Sequence, residues 1–299
     1  MAERISFHDE IRRNKIKSFF LASIIAIIFI TIGYVVSQIY NPASMFTFLI
    51  FAIIFSLIYT LISYYNADKI ALASVSAHPA NPLHHKQFIN SVENMALASG
   101  LPVPRAYVMQ GSQINAFASG RDPKHAVICV TEGTLTKLSK QELEGVIAHE
   151  MSHIANFDIR FMTFTAVAIG MISIISELFL RSLWFSNSDD RDRKNGIFLI
   201  IGIILAILAP LLANLISLAI SRKREFAADA TGVKFTRYPK GLADALKKIK
   251  HEHIAPNDKH RYPKAVAPLF ISDPFKKKIA GLFSTHPNID DRISKLERM

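Results

Sequence analysis

The residues with the most specific chemistry are His149-Glu150-Met151-Ser152-His153. Two imidazoles four residues apart share one face of a helix and can point at a single ion. Zn²⁺ takes neutral imidazole nitrogen at about 2.0–2.1 Å in a tetrahedral shell, so two histidines supply half of it and leave room for a third ligand and a water. Glu150, next to the first histidine, is placed to reach that water rather than the ion, as a general base must. In a chain of this composition the pattern would arise by chance in roughly 0.015 places. A helix whose histidines merely meet solvent or core carbonyls is the lesser reading, because an apolar face and a cap surround them.

The element that must position this motif is a helix. Ser139 with Glu142 three residues on has the form of a capping box, and Leu143, Val146, Ile147 and Ile154 recur at helical spacing. Further along, in Ser221-Arg222-Lys223-Arg224-Glu225-Phe226-Ala227-Ala228-Asp229, Glu225 and Asp229 are also four apart and share a helical face. One reading makes Glu225 a third zinc ligand, with Asp229 accepting the free N–H of a ligand histidine. The other pairs both acids with Arg222 and Arg224 as surface ion pairs. Spacing alone does not choose between them.

Stepping outward, half of the 299 residues are hydrophobic and the mean hydropathy is +0.24, which points to membrane segments. Residues 1–17 carry Arg4, Arg12, Arg13, Lys15 and Lys17, and residues 19–40 are uncharged, about one bilayer's worth of helix. A signal peptide would have a shorter apolar core and a small-residue cleavage site, so a retained anchor is expected. Residues 43–65 are again uncharged and make a tight hairpin with the first span. Residues 161–180 and 196–221 are a third and a fourth apolar span, or else a helical hairpin buried in a soluble domain. Arg222-Lys223-Arg224 marks a cytoplasmic exit, and four crossings put both termini and the zinc motif on that side.

The expected division is therefore a basic N-terminus and transmembrane hairpin over 1–65, and a metalloprotease domain with the histidine helix over 66–160. A second transmembrane pair follows over 161–221, and a cytoplasmic segment completes the zinc site over 222–299. Within the soluble part, Lys86–Ser99 reads as a helix stopped by Gly100, and 105–109 and 126–130 read as strands. Residues 115–120 have the character of an edge strand. Lone Cys129 excludes a disulfide framework and a cysteine-based zinc site, and sits in a strand as packing. The long link 254–283, rich in proline and lysine, is either a lid or a surface loop.

Three motifs, His149-Glu150-x-x-His153, Ser221-Arg222-x-Arg224-Glu225-Phe226-x-Ala228-Asp229, and Ser284-Thr285-His286-Pro287 with Arg292-Ile293, resemble the HtpX family of membrane zinc metalloproteases. That family is related to the CAAX prenyl proteases, and the resemblance covers nearly the whole chain. It implies a mainly α fold: a four-span helical membrane protein with a cytoplasmic, zincin-like α+β metalloprotease domain. It also implies one Zn²⁺ on His149, His153 and Glu225, with Glu150 as catalytic base and Asp229 behind the ligands. By the same resemblance, His286 steadies the tetrahedral intermediate, Arg292 stands nearby, and Asn115-Ala116-Phe117 is the strand to which a substrate peptide adds. The implied activity is endoproteolysis of misfolded or damaged membrane proteins in the bacterial cytoplasmic membrane under heat or envelope stress. Whether a second membrane quality-control protease shares the work is left open.

The charge balance has its own reading. Residues 234–299 carry 15 Lys and Arg against 7 Asp and Glu. Anionic lipid is the expected partner of that surface, not nucleic acid, because the segment emerges directly beneath the membrane. His251-Glu252-His253 reads as a solvated face, since residues two apart on a helix do not converge on a metal. Intramembrane cleavage fits poorly with Lys140, Glu142 and Glu144 on the motif helix, and prenyl-peptide processing with only four spans. The alternative outside enzymology is a zinc-stabilised scaffold that holds unfolded clients without cutting them.

Overall fold

The computed structural model describes residues 45–163, 222–252, 269–272 and 287–299 as runs, with isolated positions elsewhere. The expected fourth span and His286 lie outside the described residues, as do the first and third spans except for scattered helical positions and residues 161–163. In chain order the elements are α1 (Met45–Tyr65), α2 (Ala67–Ser74), β1 (His78–Pro79), α3 (Lys86–Ser99), β2 (Arg105–Met109), β3 (Ala116–Ser119), β4 (Val127–Thr131), α4 (Glu132–Lys137), α5 (Lys140–Ala155), α6 (Arg222–Thr236), α7 (Pro239–His251) and α8 (Ile289–Leu296).

α1 matches the expected second span. It is 21 residues long, carries no charge, and is almost wholly uncovered by protein, with Phe46, Phe51, Leu57 and Leu61 exposed. It is the one described helix long and apolar enough to cross a membrane. Its end is tied to the domain that follows: the Arg121 guanidinium lies over Tyr65 and donates to the Tyr65 carbonyl at 3.1 Å, and that of Arg160 lies over Tyr64.

The domain pairs a small sheet with a layer of helices. Strand order is β1-β2-β4-β3, with β2 and β4 parallel and the two outer pairings antiparallel, so β3 is an edge strand. α3 ends as expected, at a left-handed Gly100 (φ 71°), where Leu101 N–H returns to Ala96 C=O at 3.1 Å. β4 begins one residue later than expected, because Ala126 closes the short 3₁₀ turn Pro123–His125. At its other end Thr131 both finishes the strand and caps α4, accepting from Thr134 N–H at 3.2 Å.

α5 lies at the centre and packs against α3, α6, α7 and β3. Its capping box forms as the spacing predicts. Ser139 Oγ accepts from Glu142 N–H at 3.4 Å, and Glu142 Oε2 accepts from Ser139 N–H at 2.7 Å. Leu143, Val146, Ile147, Met151 and Ile154 are fully buried in the larger core cluster, each contributing about 1.5–3 kcal/mol of apolar burial. Gly145 lets α7 close onto this helix: a Cβ there would lie 2.6 Å from the Leu242 nitrogen.

Candidate metal centre

α5 and α6 cross so that three ligand groups converge. His149 Nε2 and His153 Nε2 are 3.2 Å apart, and each lies 3.6 Å from one oxygen of Glu225. All three side chains are buried. Donors held about 2.1 Å from a common tetrahedral ion are about 3.4 Å from one another, so these edges fit a zinc shell.

The other ring nitrogens are engaged by carboxylates, which settles which nitrogens face the centre. His149 Nδ1 is 2.9 Å from Asp229 Oδ1, and His153 Nδ1 is 3.1 Å from Asp158 Oδ2. With the ring protons donated to those acids, both Nε2 atoms present lone pairs to one point that also receives the Glu225 carboxylate. Three such groups converging at this range in a buried place could hold a cation between them. The donor set therefore suits Zn²⁺.

The electrostatics behind the ligands are consistent with that role. Burial works against ionisation of Asp229, but the Arg292 charge and hydrogen bonds from His149 and Arg292 outweigh it and hold the carboxyl at about 2. Arg292 is itself buried and grips Asp229 with two bonds, Nε to Oδ2 at 2.9 Å and Nη2 to Oδ1 at 2.7 Å. Its Nη1 lies 3.5 Å from Glu225. Burial works to lower the His153 pKa, yet the Asp158 bond and the charges of Glu225, Asp158 and Glu150 outweigh it and lift it to about 9. The reading of Glu225 and Asp229 as surface ion pairs falls: both are buried, and Arg224 turns to Asp158 at 3.3 Å.

Glu150 is buried beside the trio, and burial, aided by the Glu225 charge, pushes its carboxyl up against the pull of both histidines. The Ala118 N–H of β3 reaches that carboxylate, so the edge strand and the candidate base are in direct contact. Asn115, Ala116 and Phe117 are buried at the start of β3. Asn115 is held there by its N–H to Thr131 Oγ1 and Thr134 Oγ1 at 3.1 and 2.9 Å.

Several contributors escaped the sequence reading. Asp158 had one signal, a carboxylate shortly after the second histidine, but a helix rule could not place it. Gly232 on α6 sits where a Cβ would come 3.1 Å from the His149 nitrogen, so its bareness sets how close Glu225 comes. Glu252 corrects an expectation. Its side chain is turned inward rather than solvated, accepting from Ile114 N–H at 2.6 Å and Lys137 Nζ at 2.5 Å, because the backbone leading into β3 needs an acceptor there. Burial drives the Cys129 thiol pKa up, which leaves it an inert packing group.

Residues 82–299 match peptidase family M48. The chain belongs to that family. Curated relatives include proteases called HtpX homologs: one from Caldanaerobacter subterraneus subsp. tengcongensis is 45% identical over 96% of this chain and 95% of its own. Those of Dictyoglomus thermophilum and Lactobacillus helveticus are 39% and 36% identical, each over 98% of this chain and 95% and 99% of their own lengths. At that identity and coverage the chain is an HtpX-family metalloprotease, as its three motifs imply. A solved structure, Ste24p of S. mikatae, aligns with a TM-score of 0.45 at 20% identity, over 95% of this chain and 65% of that one.

Proposed function

We propose that this M48 protease is a membrane-integrated zinc endopeptidase that cuts misfolded or damaged membrane proteins on the cytoplasmic side, with four spans and both termini in the cytoplasm. The observation that carries the catalytic part is the placement of Glu150. It is buried, its pKa is raised, and it stands beside a histidine–histidine–glutamate trio with tetrahedral spacing. The membrane part is supported by α1, the basic run 222–224, and the positive balance of residues 234–299.

His149, His153 and Glu225 hold the ion in this reading. Zinc bound there supplies a Lewis acid, which acidifies a water and polarises a carbonyl oxygen. Glu150 takes the proton from the attacking water and returns it to the leaving amine, a role that its raised pKa suits. Asp229 and Asp158 keep the two imidazoles in the tautomer and orientation that bind metal, and Arg292 keeps Asp229 ionised. The strand segment Asn115-Ala116-Phe117 takes the substrate main chain on its outer edge, which gives tolerance of side chains and demands an extended, unfolded client. His286 completes the set as a donor to the oxyanion.

The test is proteolysis in vesicles. Full-length zinc-loaded protein is reconstituted with a destabilised membrane protein, and the cut sites are mapped. Cuts confined to cytoplasmic loops and unfolded segments support the proposal. Stable client binding with no cleavage would instead establish the scaffold.

A further inference from the structure

The edge of β3 that a substrate would use already carries a peptide. Along an antiparallel pair alternate residues bond to the neighbouring strand. Thr131 N–H bonds to Asn115 C=O at 3.0 Å, so Asn115, Phe117 and Ser119 face β4, and the polar groups of Ala116 and Ala118 point to the outer edge. There, Ala116 C=O accepts from Ile271 N–H at 2.9 Å. The Asn115 side chain brackets the next residue, with Nδ2 donating to Ser272 C=O at 2.9 Å and Oδ1 accepting from Ser272 N–H at 3.4 Å.

The side chains agree with the main chain. Ile271 is buried in the cluster that contains Val146 and Ile147 of the histidine helix. Phe270 is fully buried and stacks edge-on against Phe117 at 5.5 Å. Tyr262 rests on Phe270 at 5.3 Å, and its hydroxyl donates to Gln110 C=O at 2.5 Å just after β2. A surface loop would not bury this series of groups. Two successive residues make the main-chain contacts, and neither belongs to a strand, so the contact is short enough to be exchanged.

We propose that Leu269–Ser272 is an internal competitor for the substrate edge of β3, held by Phe270 and Tyr262, which a client chain must displace before cleavage. This rests on the reading of Asn115, Ala116 and Phe117 as the substrate-pairing strand. An occupant tethered within the same chain acts at high effective concentration, so it raises the apparent KM without touching the chemical step. It favours long, unfolded clients, which bring further contacts, over short peptides.

The experiment uses full-length, zinc-loaded protein in detergent and a fluorogenic peptide substrate. Ile271→Pro removes the N–H that reaches Ala116, and Tyr262→Phe removes only the hydroxyl anchor, so the second variant reads the effect even if the first does not fold. The expected result is a several-fold fall in KM, larger for Ile271→Pro, with kcat and zinc content near wild type in both and the melting temperature near wild type in Tyr262→Phe. An unchanged or higher KM in a folded Tyr262→Phe overturns the inference. N-methylating the substrate amides one at a time separates the two layers. If no methyl affects cleavage, β3 is not the substrate strand and the inference falls with it. If single methyls abolish cleavage while both variants keep the wild-type KM, the internal competitor alone is refuted.

Discussion

His153 Nδ1 lies 3.1 Å from Asp158 Oδ2, across the turn that ends the histidine helix. Each of the two imidazoles thus has its own carboxylate, Asp229 for His149 and Asp158 for His153, and the two come from different parts of the chain. The arrangement fixes both rings before a metal arrives.

Replacing Asp158 with Ala should weaken zinc binding by about 10- to 100-fold, the usual cost of losing such a partner. Asp158→Asn, which can still accept from the ring, should lose less. Competition with a chelator of known affinity measures both, and equal affinities for wild type and Asp158→Ala would refute the role.

Gly232 should tolerate no side chain larger than a methyl group. Its Cβ would meet the His149 backbone at 3.1 Å, so Gly232→Val must push α6 from α5 and carry Glu225 out of range. We expect a loss of about 1–3 kcal/mol in stability together with less than one zinc per chain, read by thermal melting and metal analysis.

The cap of the histidine helix gives a pH signature. Burial works to raise the Glu142 pKa, but the Lys248 ion pair and the bonds with Ser139 outweigh it and hold the carboxyl below its ordinary 4.5. A depressed folded pKa stabilises fully above the unfolded value and is lost as pH falls through the folded one. Glu142→Gln should therefore cost about 1 kcal/mol at neutral pH, and the gap to wild type should close progressively as pH falls below the ordinary value of 4.5. Melting curves across pH 3–7 would show it.

Arg292 and Asp229 form a buried pair whose halves are not separable. Removing the guanidinium leaves Asp229 buried without its cation, so Arg292→Ala should destabilise by about 3–5 kcal/mol. Arg292→Lys keeps the charge but not the two-pronged grip, and should fall between. Denaturant titration of the zinc-loaded protein ranks the three.

What the sequence disclosed depended on whether a local rule applied. Helix spacing translates directly into geometry, so His149 and His153 could be read as sharing one face, and Ser139 and Gly100 announced their caps; for Glu225 and Asp229 spacing left surface ion pairs equally open, and only the family resemblance chose between the readings. Asp158 lies beyond Asn156 and Phe157, where the backbone turns with φ at 57°, and no periodicity carries across such a turn. Gly232 and Gly145 matter only because another helix approaches, which a single sequence does not display. The seating of Ile271 on Ala116 joins residues 155 positions apart, and the burial of Leu269, Phe270 and Ile271 was not written in the proline and lysine content of residues 254–283.

The central claim, that Glu150 works beside an ion held by His149, His153 and Glu225, is tested most directly with one substrate. Detergent-purified wild type, Glu150→Gln, and metal-stripped wild type with zinc restored would be compared for casein cleavage, with zinc content measured in each. The account expects cleavage to vanish on stripping and return with zinc, and to be absent in Glu150→Gln even though that variant binds zinc normally. Cleavage by zinc-loaded Glu150→Gln at the wild-type rate would contradict it.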